Sequence, residues 1–289
     1  MLNITAKTEV LIEALPYITR YEGKTFVIKY GGAAMVDEDL RETFAQDVTL
    51  LKKIGIRVAI VHGGGKEITG VAGKLGLESR FVDGQRYTDE GMMDVVMMVL
   101  AGKTNKNIVS RINLHDGNAV GICGIDGNLL RVRKLTPKGV DLGFVGEITE
   151  VNTELLKLLL GNTCLPVIAP VGFNGQSHPY NVNADLAAAA IASALRAEKL
   201  VYLSDVEGVL ANGELVHTMD QRKAEGLISS GVISDGMIPK IRSAFDALNS
   251  GINKVHLIDG RIKHSLLLEI FTDVGVGTEL VHSIESDMR

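Results

Sequence analysis

Phe26-Val-Ile-Lys-Tyr-Gly-Gly32 places a lysine near the end of an apolar run and two glycines directly after it. A β-branched and aromatic run of this kind reads as a strand buried on both faces, as in parallel sheets. An unpaired ammonium in such a core is costly, so Lys29 is expected at the carboxyl end of the strand with its head opposite an anion. Gly31 and Gly32 carry no Cβ and let the backbone come close to a ligand, which makes this unit a candidate phosphate cradle. Taken alone, the stretch also fits a lysine reaching solvent at a strand end before an ordinary glycine turn.

Four other residues could join it. Lys240 follows Pro239, a residue favoured in the first helical turn. Helical side chains lean toward the N-terminus, so its ammonium can add to the free N–H groups there in holding an anion, or it is simply an exposed lysine. Asp185 stands two residues past a capping Asn183, where it either complements the helix dipole or sits between two lysines and fixes their direction. Arg86, after a hairpin turn, could grip a carboxylate with both nitrogens or be a surface charge. Asn181 could hold an amide or a carboxylate, or build a turn. Phosphoryl transfer needs mainly positioning and neutralisation of charge on the moving group, and two lysines with glycine N–H groups between them would supply both.

Other phosphate and catalytic motifs fail on pattern. Gly102-Lys103-Thr104 lacks the earlier glycine of a P-loop, because Met97 stands there, and His62-Gly63-Gly64-Gly65 has Ile68 where a dinucleotide fingerprint needs its last glycine. The histidines and serines form neither a H-E-x-x-H pair nor a nucleophile elbow.

The elements that must position these residues alternate. A helix over Thr5–Arg20, kinked or interrupted at Pro16, precedes the first strand and is free to pack on another subunit. Asp37 caps a helix closed by Gly55. The strand Arg57–Val61 runs into His62-Gly-Gly-Gly65 and a helix from Lys66, so glycines follow two successive strands and should face one crevice at their carboxyl ends. A hairpin turns at Asp83-Gly84. Thr88 opens a Met-rich helix through Leu100, with a break at Ala101-Gly102 and a continuation to Leu114; its methionines fill core or a subunit interface. Strands and helices then alternate through Val145–Val151 and Leu165–Val171 to the helix Leu186–Arg196, the buried strand Leu200–Leu203, a helix opening at Ser234–Lys240, and strands at Lys254–Ile258 and Thr278–Val281. The expected fold is α/β, a three-layer αβα sandwich around a central, mainly parallel sheet. The expected organisation is an N-terminal helix over 1–22 for oligomerisation, a lobe over 23–196 and a second lobe over 197–289.

The 289 residues can bury about 75% of their unfolded surface. With 30 basic and 35 acidic residues the net charge is −5, so nothing global favours a nucleic-acid partner and any anion must be held locally. Cys123 and Cys164 form no Cys-x-x-Cys, which fits a reducing cytoplasm and no zinc site. Met1–Glu9 has no signal-type apolar stretch, and the apolar run Leu186–Leu195 is half of the roughly 20 residues a bilayer requires, so no membrane partner is expected.

Together, Ile28-Lys-Tyr-Gly-Gly32, Val61-His-Gly-Gly-Gly65, Asn181-Val-Asn-Ala-Asp185, Leu203-Ser-Asp-Val-Glu-Gly208 and Ser234-Asp-Gly-Met-Ile-Pro-Lys240 resemble the amino acid kinase family, in the branch that acts on N-acetyl-L-glutamate. The resemblance spans nearly the whole chain, in order. It implies ATP-dependent phosphorylation of the side-chain carboxylate of N-acetyl-L-glutamate, the second step of arginine biosynthesis. Lys29 and Lys240 would stabilise the transition state and Asp185 organise them. Gly64, Gly65, Arg86 and Asn181 would bind the acceptor, with the N–H groups of Gly32 and Gly64 near the transferring group. Gly31, Gly32, Ser204, Asp205, Gly208, Val232 and Ser234 would line the ATP site, with Mg2+ entering on ATP and no protein metal site. The N-terminal helix and the segments Lys254–Gly260 and Leu268–Gly277 resemble the arginine-inhibited subtype, whose members form hexamers as trimers of dimers. Tyr17, His256, Glu269 and Gly275 are then the candidates for an L-arginine site, and a PII signalling protein is a candidate partner. Related carbamate, aspartate, glutamate or UMP kinases, and a non-catalytic arginine sensor on the same fold, are the alternative readings.

Overall fold

The computed structural model describes residues 4–82, 84–176, 178–233, 237–272 and 274–284. Along the chain run the strands β1 (Thr25–Tyr30), β2 (Arg57–His62), β3 (Ala119–Cys123), β4 (Leu130–Lys134), β5 (Gly146–Val151), β6 (Leu165–Ala169), β7 (Val171–Phe173), β8 (Pro179–Asn181), β9 (Lys199–Ser204), β10 (Thr218–Met219), β11 (Lys254–Asp259) and β12 (Thr278–Leu280). Between them lie α1 (Ile4–Tyr21), α2 (Glu38–Lys53), α3 (Gly65–Lys74), α4 (Glu90–Val96), α5 (Asn105–Leu114), α6 (Glu154–Gly161), α7 (Ala184–Leu195), α8 (Gln221–Ser229), α9 (Met237–Asn249) and α10 (Ser265–Phe271).

The apolar runs become one eight-stranded sheet in the order β10-β12-β11-β9-β1-β2-β6-β3. From β11 to β3 all neighbours are parallel; β12 lies antiparallel to β11, and β10 runs with β12. Strand β1 is central, and its side chains alternate between two cores as a two-residue period requires. Phe26, Ile28 and Tyr30 pack with α2, α5 and α10, whereas Val27 packs with α6, α7 and α9. Helices therefore cover both faces, which is the expected three-layer sandwich. Lys29, two residues beyond Val27, points to the α7 side.

Side-chain caps open several of the helices. Asp37 Oδ1 accepts from Leu40 N at 3.0 Å to cap α2, and Gly55, at φ +95°, follows that helix in a conformation a side chain would resist. Asn183 Oδ1 accepts from Asp185 N and Leu186 N and so caps α7.

Several expectations are corrected. The cap of the Met-rich helix is Asp89, whose Oδ1 accepts from Met92 N at 2.9 Å, while Thr88 pairs with Gly143 in a β-bridge. There is no break at Ala101-Gly102: a π-wound segment, Met97–Thr104, joins α4 to α5 and widens the turn to absorb the irregularity. Met92 and Met93 are buried in a third core with Ile68, Ala72, Val171 and Leu100. Pro16 lies inside α1 without ending it. Finally, β5 does not continue the main alternation. With β4, β7 and β8 it forms a separate four-stranded sheet, ordered β8-β7-β4-β5. Among the described residues no helix is long and apolar enough to cross a membrane.

Candidate active site

Lys29 is the fifth of six residues in β1, and its ammonium lies 2.9 Å from Asp185 Oδ1. The anion predicted opposite it is thus the first-turn acid of α7, supplied by the helix that covers this face. Lys240, in the first turn of α9, belongs to the same group of charges. Burial pushes its pKa below the ordinary lysine value, Lys29 adds to that, and Asp185 and Asp205 oppose it. The two lysines, distant in sequence, therefore share one electrostatic neighbourhood with two carboxylates.

Gly31 and Gly32 close this neighbourhood from below. A Cβ on Gly31 would press against the Lys29 ammonium, and one on Gly32, at φ +72°, would run into the Asp205 carboxylate. Asp205 Oδ1 accepts a hydrogen bond from Ala33 N, at the start of the short 3-10 turn Gly32–Met35. Ser204, which ends β9, keeps its Oγ buried and without a partner. Gly208 adopts φ +131° where a Cβ would meet Leu215 and Thr278, and Thr278 Oγ1 accepts from Val209 N at 2.8 Å, so this turn is held by β12. Val232 lies exposed in the turn after α8. Ser234 lies outside the described residues.

The second glycine turn joins a different cation. Arg86 is buried, with Nη1 donating to Ser79 Oγ at 2.6 Å and Nη2 donating to Gly65 O and Thr69 Oγ1, each at 2.9 Å; its guanidinium lies over the Phe81 ring. Desolvation pulls its pKa down, yet no carboxylate among the described residues pairs with it. Asn181 Nδ2 donates to Thr88 Oγ1 at 3.3 Å, and Thr88 Oγ1 donates to Arg86 O at 2.9 Å, so Asn181 is tied to the Arg86 segment. Gly64 N–H has no acceptor among the described residues. A Cβ at Gly64 would strike Leu100 of the π-wound segment, which presses on this turn from behind.

Of the remaining candidates, His256, Glu269 and Gly275 gather near the end of the sheet where the parallel strands begin. Lys199 Nζ lies 2.8 Å from His256 Nε2, and His256 Nδ1 lies 2.6 Å from Glu269 Oε1. Glu269 Oε2 accepts from Val276 N and Gly277 N, and a Cβ on Gly275 would collide with that carboxylate. Although burial pushes Glu269 upward, His256 and these N–H groups hold its pKa below the usual carboxylate value. Burial lowers Lys199 to about 8. Glu279 completes the cluster, 3.2 Å from Lys254 and 3.6 Å from Lys199. The Tyr17 ring packs edge-on against Phe271 of α10, the helix that carries Glu269, at 6.3 Å.

Sequence reasoning missed the partners rather than the principals. Thr69, Ser79, Lys199 and Glu279 carry no motif, and nothing local marks them. His62 did carry a signal, as the residue before the glycines. It is fully buried, and burial lowers its pKa to about 4.

The amino acid kinase family model matches residues 24–259. A relative called acetylglutamate kinase, from Chlorobaculum tepidum, is 54% identical over 96% of this chain and 97% of its own. A solved N-acetylglutamate synthase from Neisseria gonorrhoeae, in complex with coenzyme A and N-acetyl-glutamate, superposes with a TM-score of 0.86 at 28% identity. The match covers 96% of this chain and 63% of that longer one. A second structure of that synthase, with coenzyme A and L-arginine, gives a TM-score of 0.81 at 27% identity over 96% of this chain and 65% of that one.

The buried His62 has a measurable consequence. The unfolded imidazole takes a proton near a pKa of about 6.5, whereas the folded one resists until about 4. The folded state therefore binds fewer protons across this window, and its contribution to stability is lost as pH falls, by about 2 kcal/mol at pH 5. Denaturant unfolding of wild type and His62→Asn at about pH 8 and about pH 5 should show the larger acid loss in wild type. By its glycine turns, its sheet and its similarity over nearly its whole length, this chain belongs to the amino acid kinase family, within the acetylglutamate kinase group.

Proposed function

We propose that the chain transfers the γ-phosphoryl group of ATP to the side-chain carboxylate of N-acetyl-L-glutamate, giving N-acetyl-L-glutamyl 5-phosphate and ADP, the second step of arginine biosynthesis. The observation that carries this reading is the Lys29–Asp185 pair with Lys240 in its field, set beside two glycine turns. A side-chain carboxylate is ionised at neutral pH, so no base is needed. One of its oxygens bonds to the γ-phosphorus as the bond from that phosphorus to the β-bridging oxygen breaks, and ADP departs with the electron pair. Charge on the moving group is met by Lys29 and Lys240, while Asp185 aims Lys29. Free N–H groups of the glycine turns cradle the equatorial oxygens.

In this reading residues 23–196 hold the acceptor. Arg86, buried and with no carboxylate partner among the described residues, takes one from the substrate, and Asn181 meets the acetylated amide or a carboxylate. Residues 197–289 hold the nucleotide through Ser204, Asp205, Gly208 and the segment around Val232. Mg2+ fits as a companion of ATP. Mg2+ would be held mainly by phosphate oxygens and water, and when bound it would neutralise phosphate charge.

L-Arginine is proposed as an inhibitor bound at the Lys199–His256–Glu269 cluster, a reading supported by the neisserial synthase solved with L-arginine. Assembly into a hexamer through α1 is supported by the exposed Ile12 and Leu15 on that helix.

Lys29→Ala and Lys240→Ala should each lower kcat by about a hundredfold or more with little change in KM, read by coupled ADP release. Turnover of aspartate but not N-acetyl-L-glutamate in the same assay would reverse the assignment. Arg86→Ala should instead raise the acceptor KM, and an unchanged KM would remove Arg86 from the site. Deleting residues 1–20 should leave turnover intact while shrinking the assembly to dimers on sizing chromatography and weakening inhibition by arginine.

A further inference from the structure

His62 is used by nothing above, yet it sits directly behind the glycine turn. Its Nδ1 lies 2.7 Å from Gly63 O and its Nε2 3.2 Å from Asn105 Nδ2. A carbonyl only accepts, so Nδ1 carries the proton, and Nε2 is then an acceptor facing the Asn105 amide, whose two hydrogens serve Nε2, Val167 O and Ile122 O between them. The orientation of that amide is itself fixed. Lys106 Nζ donates to Asn105 Oδ1 at 3.1 Å, and Asn105 Nδ2 also faces Val167 O at 2.9 Å and Ile122 O at 3.3 Å. Asn105 is fully buried where the π-wound segment meets α5, and its amide spans the end of β2 and the backbones of β6 and β3.

A trans peptide unit is planar, with its C=O and N–H pointing in opposite directions. Holding Gly63 C=O against the buried imidazole therefore turns Gly64 N–H away from the core. The flanking groups are held, Gly63 N donating to Tyr30 O at 2.8 Å and Gly64 O accepting from Ile68 N at 2.9 Å. With glycine on both sides, the peptide between them can still turn about its own axis, and the contact with His62 sets which way it faces. We propose that His62, held in its Nδ1–H tautomer by Asn105, is a positioning residue that keeps the Gly63–Gly64 peptide turned so that Gly64 N–H faces the transferring phosphoryl group. This rests on the kinase reading given above. The imidazole touches no substrate; it acts through the backbone of the next two residues. Burial keeps the ring neutral at pH 7, so it has one proton to place and the tautomer is a real choice.

The test separates the two ring nitrogens. An asparagine side chain can place its N–H near the position of Nδ1, whereas glutamine reaches toward that of Nε2. His62→Asn is expected to keep kcat within about threefold of wild type, and His62→Gln to lose at least about tenfold in kcat with acceptor KM little changed, as when one donor to a developing charge is lost. A merely structural histidine predicts the reverse order, because glutamine replaces more of the lost volume. Equal losses, a loss confined to KM, or better retention by His62→Gln overturns the proposal. Should both variants fail to fold, nitrogen-15 NMR of histidine-labelled wild type decides. The Nδ1–H tautomer at pH 7 is expected, and the Nε2–H tautomer overturns the proposal. The wild-type ADP-release assay judges the kinase reading separately, because the tautomer is read without turnover.

Discussion

A lysine in the middle strand of a parallel sheet can exist only if something negative meets it, and here that is Asp185 at 2.9 Å. The pair constrains much around it. It requires α7 to begin beside the end of β1, and this in turn requires the Asn183 cap that starts the helix there. It also requires small residues beneath the ammonium, a demand that Gly31 meets. Both partners stay partly exposed, the lysine at 14% and the aspartate at 30%, so neither bears the full desolvation cost of a buried ion and both can face a third charged group.

Seen from this pair, the glycine turns have different backings. The first is closed by Asp205, which approaches so nearly that only glycine fits at position 32. The second is braced by Leu100 of the π-wound segment and by the His62–Asn105 link. One turn thus meets a carboxylate and the other a neutral, hydrogen-bonded wall, although in sequence they look alike.

What could be read beforehand was local. Lys29 at a strand end, the caps at Asp37 and Asn183, and the glycine turns each follow from neighbours within a few residues. The central sheet followed from long apolar runs buried on both faces. Contacts between remote segments were not legible. Asp205 and Ala33, or Asn105 and His62, are joined by topology, and no spacing rule foretells them. The four-stranded sheet was missed because β7 and β8 are three-residue strands whose pairing depends on where the main sheet leaves room. The π-wound segment was misread as a break because Ala101-Gly102 signals weak helix, whereas packing of Val99 and Leu100 into the third core holds the helix together.

Strand β12 has a mechanical consequence. Thr278 holds the Gly208–Val209 turn, while its neighbour Glu279 reaches Lys199, Lys254 and His256. Adjacent side chains of a strand face opposite ways, so this short antiparallel rib has one hand on each side of the sheet. Two consecutive residues of one three-residue strand thus anchor the Gly208–Val209 turn on one face and the Lys199–His256–Glu269 cluster on the other.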